Sequence, residues 1–432
     1  MAGSTQVHKP LIHIIDVTNR DGVQTSRLGL AKLQKTIINI MLNEMGVFQS
    51  EFGFPFTNHE VNYLNANLQL AEKGLLRPIC LSGWLTVRAS EVEKAFEDVP
   101  KLKHVNLSVS TSDQMIFGKW LGKVTRKDVY AMMVEALEFC RPRCETVGVN
   151  AEDASRTTMD QLIEYAQLAK GHGADRIRYC DTLGYDDPLS VYKRIYELAK
   201  AVQLPIELHC HDDLGMAVAC SAAGAVGAVD AGVDGYINTC VNGMGERAGN
   251  CDLVSAILAV KKASGWCGRD LLDPRVDLSK SWQLARYASY AFGVPIPINQ
   301  PAVGDNAFAH ESGIHVDGAL KDRRNYELYN FEDLGRGEPE TIETGQRITV
   351  GEYSGIKGFR NVYEKLEIEF KDEDQAYDIL ELVRYANVHT QKPLTHQELR
   401  FIAAYPDEAR MLLTATPPAS RFHGAGRGAE GR

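Results

Sequence analysis

Up to about residue 260, short apolar runs alternate with longer stretches whose apolar positions recur every three or four residues. The short runs lie at 13–18, 47–53, 78–83, 104–110, 146–153, 176–182, 205–211 and 235–241. Their length and apolar character predict strands. Helical spacing fills the intervals, for example at 32–44, 125–140, 160–172, 188–201 and 217–231. Near-continuous apolar strands are buried on both faces, which predicts a parallel sheet covered by helices. Eight strand–helix units match an α/β fold of the (β/α)8 TIM-barrel type, which typically takes about 250 residues. An open doubly wound sheet is the alternative, and it usually carries a glycine-rich phosphate loop after its first strand. Here the first strand runs instead into the charged Asn19-Arg20-Asp21-Gly22.

The pattern changes after Lys262. A helix is predicted over 279–292, and Gly293-Val294-Pro295-Ile296-Pro297-Ile298 reads as an extended crossing segment. The chain therefore divides into a catalytic barrel (1–290), a loop-rich linker subdomain (291–350) and a small mixed, α-rich C-terminal region (351–415). Helices are expected in that last region near 374–388 and 395–403. A tail (416–432), rich in Gly, Pro, Ala and Arg, is expected to be disordered.

Composition adds exclusions. The 432 residues are 44% hydrophobic and 24% charged, an ordinary globular balance. A net charge of -10 argues against a nucleic-acid binder. No apolar run approaches the roughly 20 residues that span a bilayer, and residues 1–10 lack the apolar core of a signal peptide. Nine cysteines at irregular spacing suggest no disulfide framework and point to a reducing cytoplasm.

The chemistry concentrates where the predicted strands end. His209 and His211 stand at i and i+2, so a strand sends both rings from one face. Such a pair is either half of a divalent-metal site or two hydrogen-bonded core histidines. The other strand ends carry Arg20 and Asp21, Glu51, Asn150 and Glu152, Asp181 and Thr182, and Asn242. Barrel active sites form at that rim. Asp21 on the first strand can meet His209 and His211 on the seventh, with Asn242 as a fourth oxygen ligand. This mixed N/O set suits zinc, manganese, magnesium or cobalt and leaves positions open for substrate.

Arg20 either donates to an oxygen that becomes an alkoxide or enolate, or pairs with Asp21 or Glu51. Glu51 and Glu152 are either proton shuttles or partners that orient Arg20 or a metal-bound group. Thr182 is a hydroxyl donor for a substrate carboxylate. Gly243, Gly245 and Glu246 lie in the glycine-rich stretch after the eighth strand, where backbone N–H groups can approach an anion or a thioester arm. His310 and His315 fall outside the barrel; they are either surface residues or a base brought to a barrel mouth.

These residues resemble the Claisen-condensing branch of the metal-dependent lyase and synthase barrels, which holds isopropylmalate, homocitrate and citramalate synthases. The resemblance rests on Arg20-Asp21-Gly22-Val23-Gln24 followed by Lys35, on 206–219, on 242–250 and on 310–315. The stretches 237–250 and 151–156 are most similar to nitrogen-fixation-type homocitrate synthase. The resemblance implies condensation of acetyl-CoA with an α-keto acid, 2-oxoglutarate in the first instance, followed by thioester hydrolysis. Oxaloacetate, 2-oxoisovalerate, pyruvate or a phosphonopyruvate-like acid are the alternative keto acids, and a metal-dependent acyl-CoA lyase or aldolase is the alternative reaction. It implies Asp21, His209, His211 and Asn242 as metal ligands, and Arg20 as oxyanion stabiliser and substrate contact. Gln24, Asn150, Glu152 and Thr182 fall beside the substrate and Glu51 beside Arg20. His315 and Tyr326 match a catalytic pair that reaches the neighbouring subunit in a domain-exchanged homodimer. Three departures stand out: Asn19 and Val23 around the Arg-Asp-Gly, Glu352 and Tyr353 where a basic pair is common, and Gly148 where lysine-pathway homocitrate synthases carry an arginine for the distal carboxylate.

Overall fold

Eight parallel strands close into a barrel in chain order. They are β1 (Ile12–Asp16), β2 (Gln49–Gly53), β3 (Cys80–Thr86), β4 (His104–Ser110), β5 (Thr146–Glu152), β6 (Arg176–Asp181), β7 (Ile206–Cys210) and β8 (Gly235–Thr239). β8 returns to β1 in register from Ile12 opposite Gly235 to Asp16 opposite Thr239, which leaves no free sheet edge. The computed structural model describes residues 9–337 and 348–415, so the expected tail lies outside the described residues.

The helices form where apolar spacing and caps agree. The helix Pro188–Val202 starts on Asp187, whose carboxylate accepts the N–H groups of Leu189 and Ser190, with proline in its first turn. The helix Ala217–Asp230 is built of small residues for a packing reason. A Cβ at Gly227 would lie 2.7 Å from the Tyr192 carbonyl oxygen, and one at Gly224 would lie 2.7 Å from Leu208 Cδ1. The helix thereby presses directly on β7 and fixes the strand that carries the two histidines.

Beyond the barrel, Ser281–Phe292 is helical as predicted, and the chain then crosses without regular structure to the helix Gly313–Lys321, which buries none of its residues. The last region is helical: Ile356–Lys365, Glu373–Thr390, His396–Ala404 and Pro406–Leu413. The α-rich reading of this region holds, and no strand occurs there among the described residues. It rests on the outside of the barrel. Tyr287 Oη donates to Glu398 Oε1 (2.9 Å), Lys73 pairs with Glu408, and Lys392 Nζ caps the carbonyls of Tyr290 and Ala291.

Candidate active site

β7 delivers His209, and the chain just past it delivers His211, to the C-terminal rim. Asp21 follows β1 on a turn in which its N–H, with those of Arg20 and Gly22, points at the Val17 carbonyl. Asp21 Oδ2 lies 3.3 Å from His209 Nε2 and 4.0 Å from His211 Nε2. The two rings sit 5.1 Å apart and nearly perpendicular. One ligand atom from each of the three falls within 4.8 Å of the others, and all three residues are buried.

Burial, and then the neighbouring His209, holds the His211 imidazole down to about 3, so it stays in the neutral form that binds metal. Burial alone would raise the Asp21 carboxyl, but Arg20 and the two histidines overcome it and keep it ionised well below the usual range. Two buried atoms beside the group, His211 Nδ1 and Asn250 Oδ1, have no hydrogen-bond partner. A cation at the three-residue group would give the Asn250 oxygen the partner it lacks. Two imidazoles, a carboxylate and an amide oxygen fit a divalent cation with open positions.

The fourth position differs from the sequence reading. Asn242 is turned away: its Nδ2 donates to the Ala285 carbonyl (2.9 Å), and it lines a different cavity. Asn250 takes its place, with Nδ2 2.7 Å from Asp21 Oδ2. Asn242 at φ 57 and glycines at 243 and 249, also with positive φ, fold the loop back so that Asn250 bridges to His211. Gly245 is required at close quarters, because a Cβ there would stand 2.4 Å from Asn250 Nδ2. Asn250 closes the glycine-rich stretch, which is the one signal in the sequence that pointed to it.

A cavity of about 260 Å³ opens over the three-residue group. Arg20, Gln24, Asn150, Glu152, Thr182 and Glu246 all line it. Arg20 Nε donates to Glu51 (2.6 Å), its NH1 lies 3.1 Å from Asp21 Oδ1, and its guanidinium lies 5.6 Å from the Trp84 ring centre. Asn150 Oδ1 is buried without a partner. Thr182 Oγ1 accepts the Asp153 N–H, which leaves its own hydroxyl proton to donate. Glu152 is held by Ser110 Oγ and Lys119 Nζ, each at 2.5 Å.

Glu51 lies below this cavity and does not line it. It is fully buried and accepts from Arg20, Arg178 and Asn106. Burial would raise its carboxyl, but Arg178 and then Arg20 bring it to about 2. A buried carboxylate held by two arginines and Asn106 fits the second of the two roles left open for Glu51 in the sequence, a partner that orients Arg20, and not the role of proton shuttle.

Gly243 and Gly245 line a neighbouring cavity of about 300 Å³, and Arg247 borders both cavities. Gly245 N donates to Thr25 Oγ1 (2.9 Å), anchoring the glycine-rich loop to the turn after β1. His315 and Tyr326 do not line the metal-group cavity of their own chain. They stack on each other at 4.3 Å, and His315 is exposed.

The HMGL-like family model matches residues 11–287, and the homocitrate synthase post-HMGL domain-like model matches 302–390. The citrate (Re)-synthase of Dehalococcoides mccartyi is 57% identical over 408 residues, covering 94% of this chain and 98% of that protein. Homocitrate synthase 1 of Nostoc is 30% identical over 395 residues, covering 91% of this chain and 96% of that protein. The hydroxymethylglutaryl-CoA lyase of Pseudomonas aeruginosa shares the fold, with a TM-score of 0.54 at 17% identity over 67% of this chain and 95% of that one. With the barrel, the Asp21–His209–His211 group and these matches together, the chain belongs to the HMGL-like family, among its acetyl-CoA-dependent condensing synthases.

Proposed function

We propose that this protein condenses acetyl-CoA with oxaloacetate, releasing citrate and CoA. The observation that carries the reading is the Asp21–His209–His211 group beside Arg20, in a chain 57% identical over nearly its whole length to a citrate (Re)-synthase. The sequence reading placed 2-oxoglutarate first. Oxaloacetate replaces it because the homocitrate synthase relatives stand at 30% and 34%. The floor of the barrel agrees: Gly148 leaves no room for a side chain, since a Cβ there would lie 1.9 Å from Asn106 Oδ1. The match of 302–390 to a homocitrate synthase domain keeps 2-oxoglutarate as the second reading.

A divalent ion held by Asp21, His209, His211 and Asn250 would supply Lewis-acid polarisation of the keto group. The residues do the rest. Arg20 aims its guanidinium at the keto oxygen and donates as that oxygen becomes an alkoxide. Thr182 Oγ1 and Asn150 orient the substrate carboxylates. A base takes a proton from the acetyl methyl group, the carbanion attacks the keto carbon, and water then cleaves the C–S bond to release the thiol.

His315, with Tyr326 stacked on it, is the pair we assign to that proton transfer, acting from the partner of a homodimer. The segment assigned to reach across is the linker subdomain, of which residues 291–337 and 348–350 are described. Support comes from the helix Gly313–Lys321, which buries none of its residues and leaves Ile314 76% and Leu320 83% exposed. A thiol-release assay with acetyl-CoA and a panel of α-keto acids tests the reading. Fastest CoA release with oxaloacetate supports it, preference for 2-oxoglutarate moves the assignment to homocitrate formation, and no release with any keto acid overturns both.

A further inference from the structure

Beneath the cavity runs a chain of buried ion pairs that the reaction does not itself use. Arg178, on β6 and only 1% exposed, joins it in the middle. Its NH2 donates to Glu51 Oε1 (2.7 Å) and its NH1 to Glu51 Oε2 (3.2 Å). Its Nε donates to Glu207 Oε1 (2.5 Å). Glu207 is fixed in turn by Asn238 Nδ2 (2.7 Å) and Arg176 Nε (3.3 Å), and Arg176 NH2 reaches Gln49 Oε1 (2.9 Å). The upper end of the chain is Glu51 Oε2, which accepts Arg20 Nε at 2.6 Å.

We propose that Arg178 is the positioning residue for Arg20, clamping both oxygens of Glu51 so that the Arg20 guanidinium is held in one orientation over the metal group. The geometry requires a planar fork. Two parallel N–H donors grip one carboxylate edge and fix its plane, which a point-charge ammonium cannot do. Asn106 Nδ2 adds a single bond to Glu51 Oε1 (3.1 Å), and one bond leaves the carboxylate free to rotate about it. Arg178 lines the cavity, but its Nε, NH1 and NH2 are all engaged by Glu207 and Glu51. Its effect on turnover therefore passes through Glu51 and Arg20.

The role of Arg20 rests on the proposed condensation, but its placement does not, so two measurements separate the claims. The first is a crystal structure of Arg178→Lys, which keeps the buried charge. Arg178→Met with Glu207→Gln is the second variant, removing both charges together in case the lysine protein folds poorly. Loss of the Arg20–Glu51 contact is expected in either. Arg20 retained in place in both overturns the proposal whatever the protein turns over.

The second is a kinetic cycle of Arg178→Lys, Arg20→Lys and the double variant. Arg178→Lys is expected to lower kcat about 10- to 100-fold with little change in keto-acid KM, as misplacement of a reacting group does. In the Arg20→Lys background the further loss is expected to be about twofold or less, because residues acting as a unit are not additive. Multiplicative losses in the double variant overturn the proposal. Absence of CoA release by the unmodified protein overturns the condensation and leaves the crystallographic result to decide the positioning.

Discussion

Asn250 Nδ2 stands 2.7 Å from Asp21 Oδ2, joining two residues 229 positions apart at the metal group. The bond fixes the one carboxylate that faces both histidines and brings the unpartnered Asn250 Oδ1 to the same place. Asn250→Ala is therefore expected to weaken divalent-metal affinity about 10- to 100-fold, the usual effect of removing such a support. Asn242→Ala, whose Nδ2 is bound to the Ala285 carbonyl and whose side chain lines a different cavity, should leave metal affinity unchanged. Titration calorimetry with zinc, manganese and cobalt on both variants reads the difference.

His211→Ala should abolish metal binding and leave the barrel folded, because the ring sits past the end of β7 and not among the apolar layers. Metal content after dialysis, with circular dichroism as the control for the fold, checks this. Unchanged metal content would remove His211 from the ligand set.

All eight strands were legible in the chain, as were the helices Lys32–Glu44 and Ser281–Phe292, because buried parallel strands and amphipathic helices leave strong periodicities. His209 and His211 were legible because their spacing equals the strand period. Arg20, Glu152 and Thr182 were legible because barrel chemistry gathers at strand ends. Asn250 was not, since a run of left-handed backbone positions folds its loop back, and spacing alone carries no trace of that reversal. The clamp of Arg178 on Glu51 joins residues 127 positions apart across the barrel interior. Only the i, i+2 pair Arg176 and Arg178 hinted that charge points inward. The helices Ile356–Lys365 and Pro406–Leu413 were not legible, although the first buries Phe359, Val362 and Tyr363 at helical spacing; they are only ten and eight residues long.

Glu60 anchors the segment after β2 to the first barrel helix. It pairs with Lys32 and Lys35, and its Oε2 also accepts the Phe54 N–H. Breaking a buried pair strands the remaining charge, so Glu60→Gln is expected to cost about 3–5 kcal/mol. Both partners are shifted down, which favours the charged form of Glu60 and disfavours that of Lys35. Burial would raise Glu60, but Lys35 and Lys32 bring it to about 2, whereas burial takes Lys35 down to about 8 in spite of Glu60. The pair therefore favours the carboxylate without repaying the lysine's desolvation. Because the folded value of Glu60 lies below its ordinary 4.5, its contribution is complete above that pH and is lost as pH falls toward about 2. Thermal midpoints of the unmodified protein and Glu60→Gln should converge over that interval, and a constant gap would contradict the assignment.

Gly148 lies opposite Asn106 on β4 and Arg176 on β6. A methyl group at 148 would push on Asn106 Oδ1 and loosen its hold on Glu51. Gly148→Ala is expected to destabilise by about 1–3 kcal/mol, as overpacking does, and to lower turnover as well. Replacing Asn106 with serine in the same chain should restore part of the stability, since the colliding amide is then gone. Urea unfolding of the single and double variants separates this clash from a general intolerance of side chains in β5.

The assignment of His315 to the partner's barrel predicts complementation. His315→Ala should keep metal and keto-acid binding and lose most turnover, and His211→Ala should lose turnover through the metal group. In a mixed dimer of the two variants, one mouth combines an intact Asp21–His209–His211 group with an intact His315 from the other chain. That mouth should recover CoA release, while each homodimer stays inactive. If His315 served its own barrel, both mouths of the mixed dimer would carry a defect and no activity would return. Co-expression with two different affinity tags, purification of the doubly tagged species and the thiol-release assay distinguish the two arrangements.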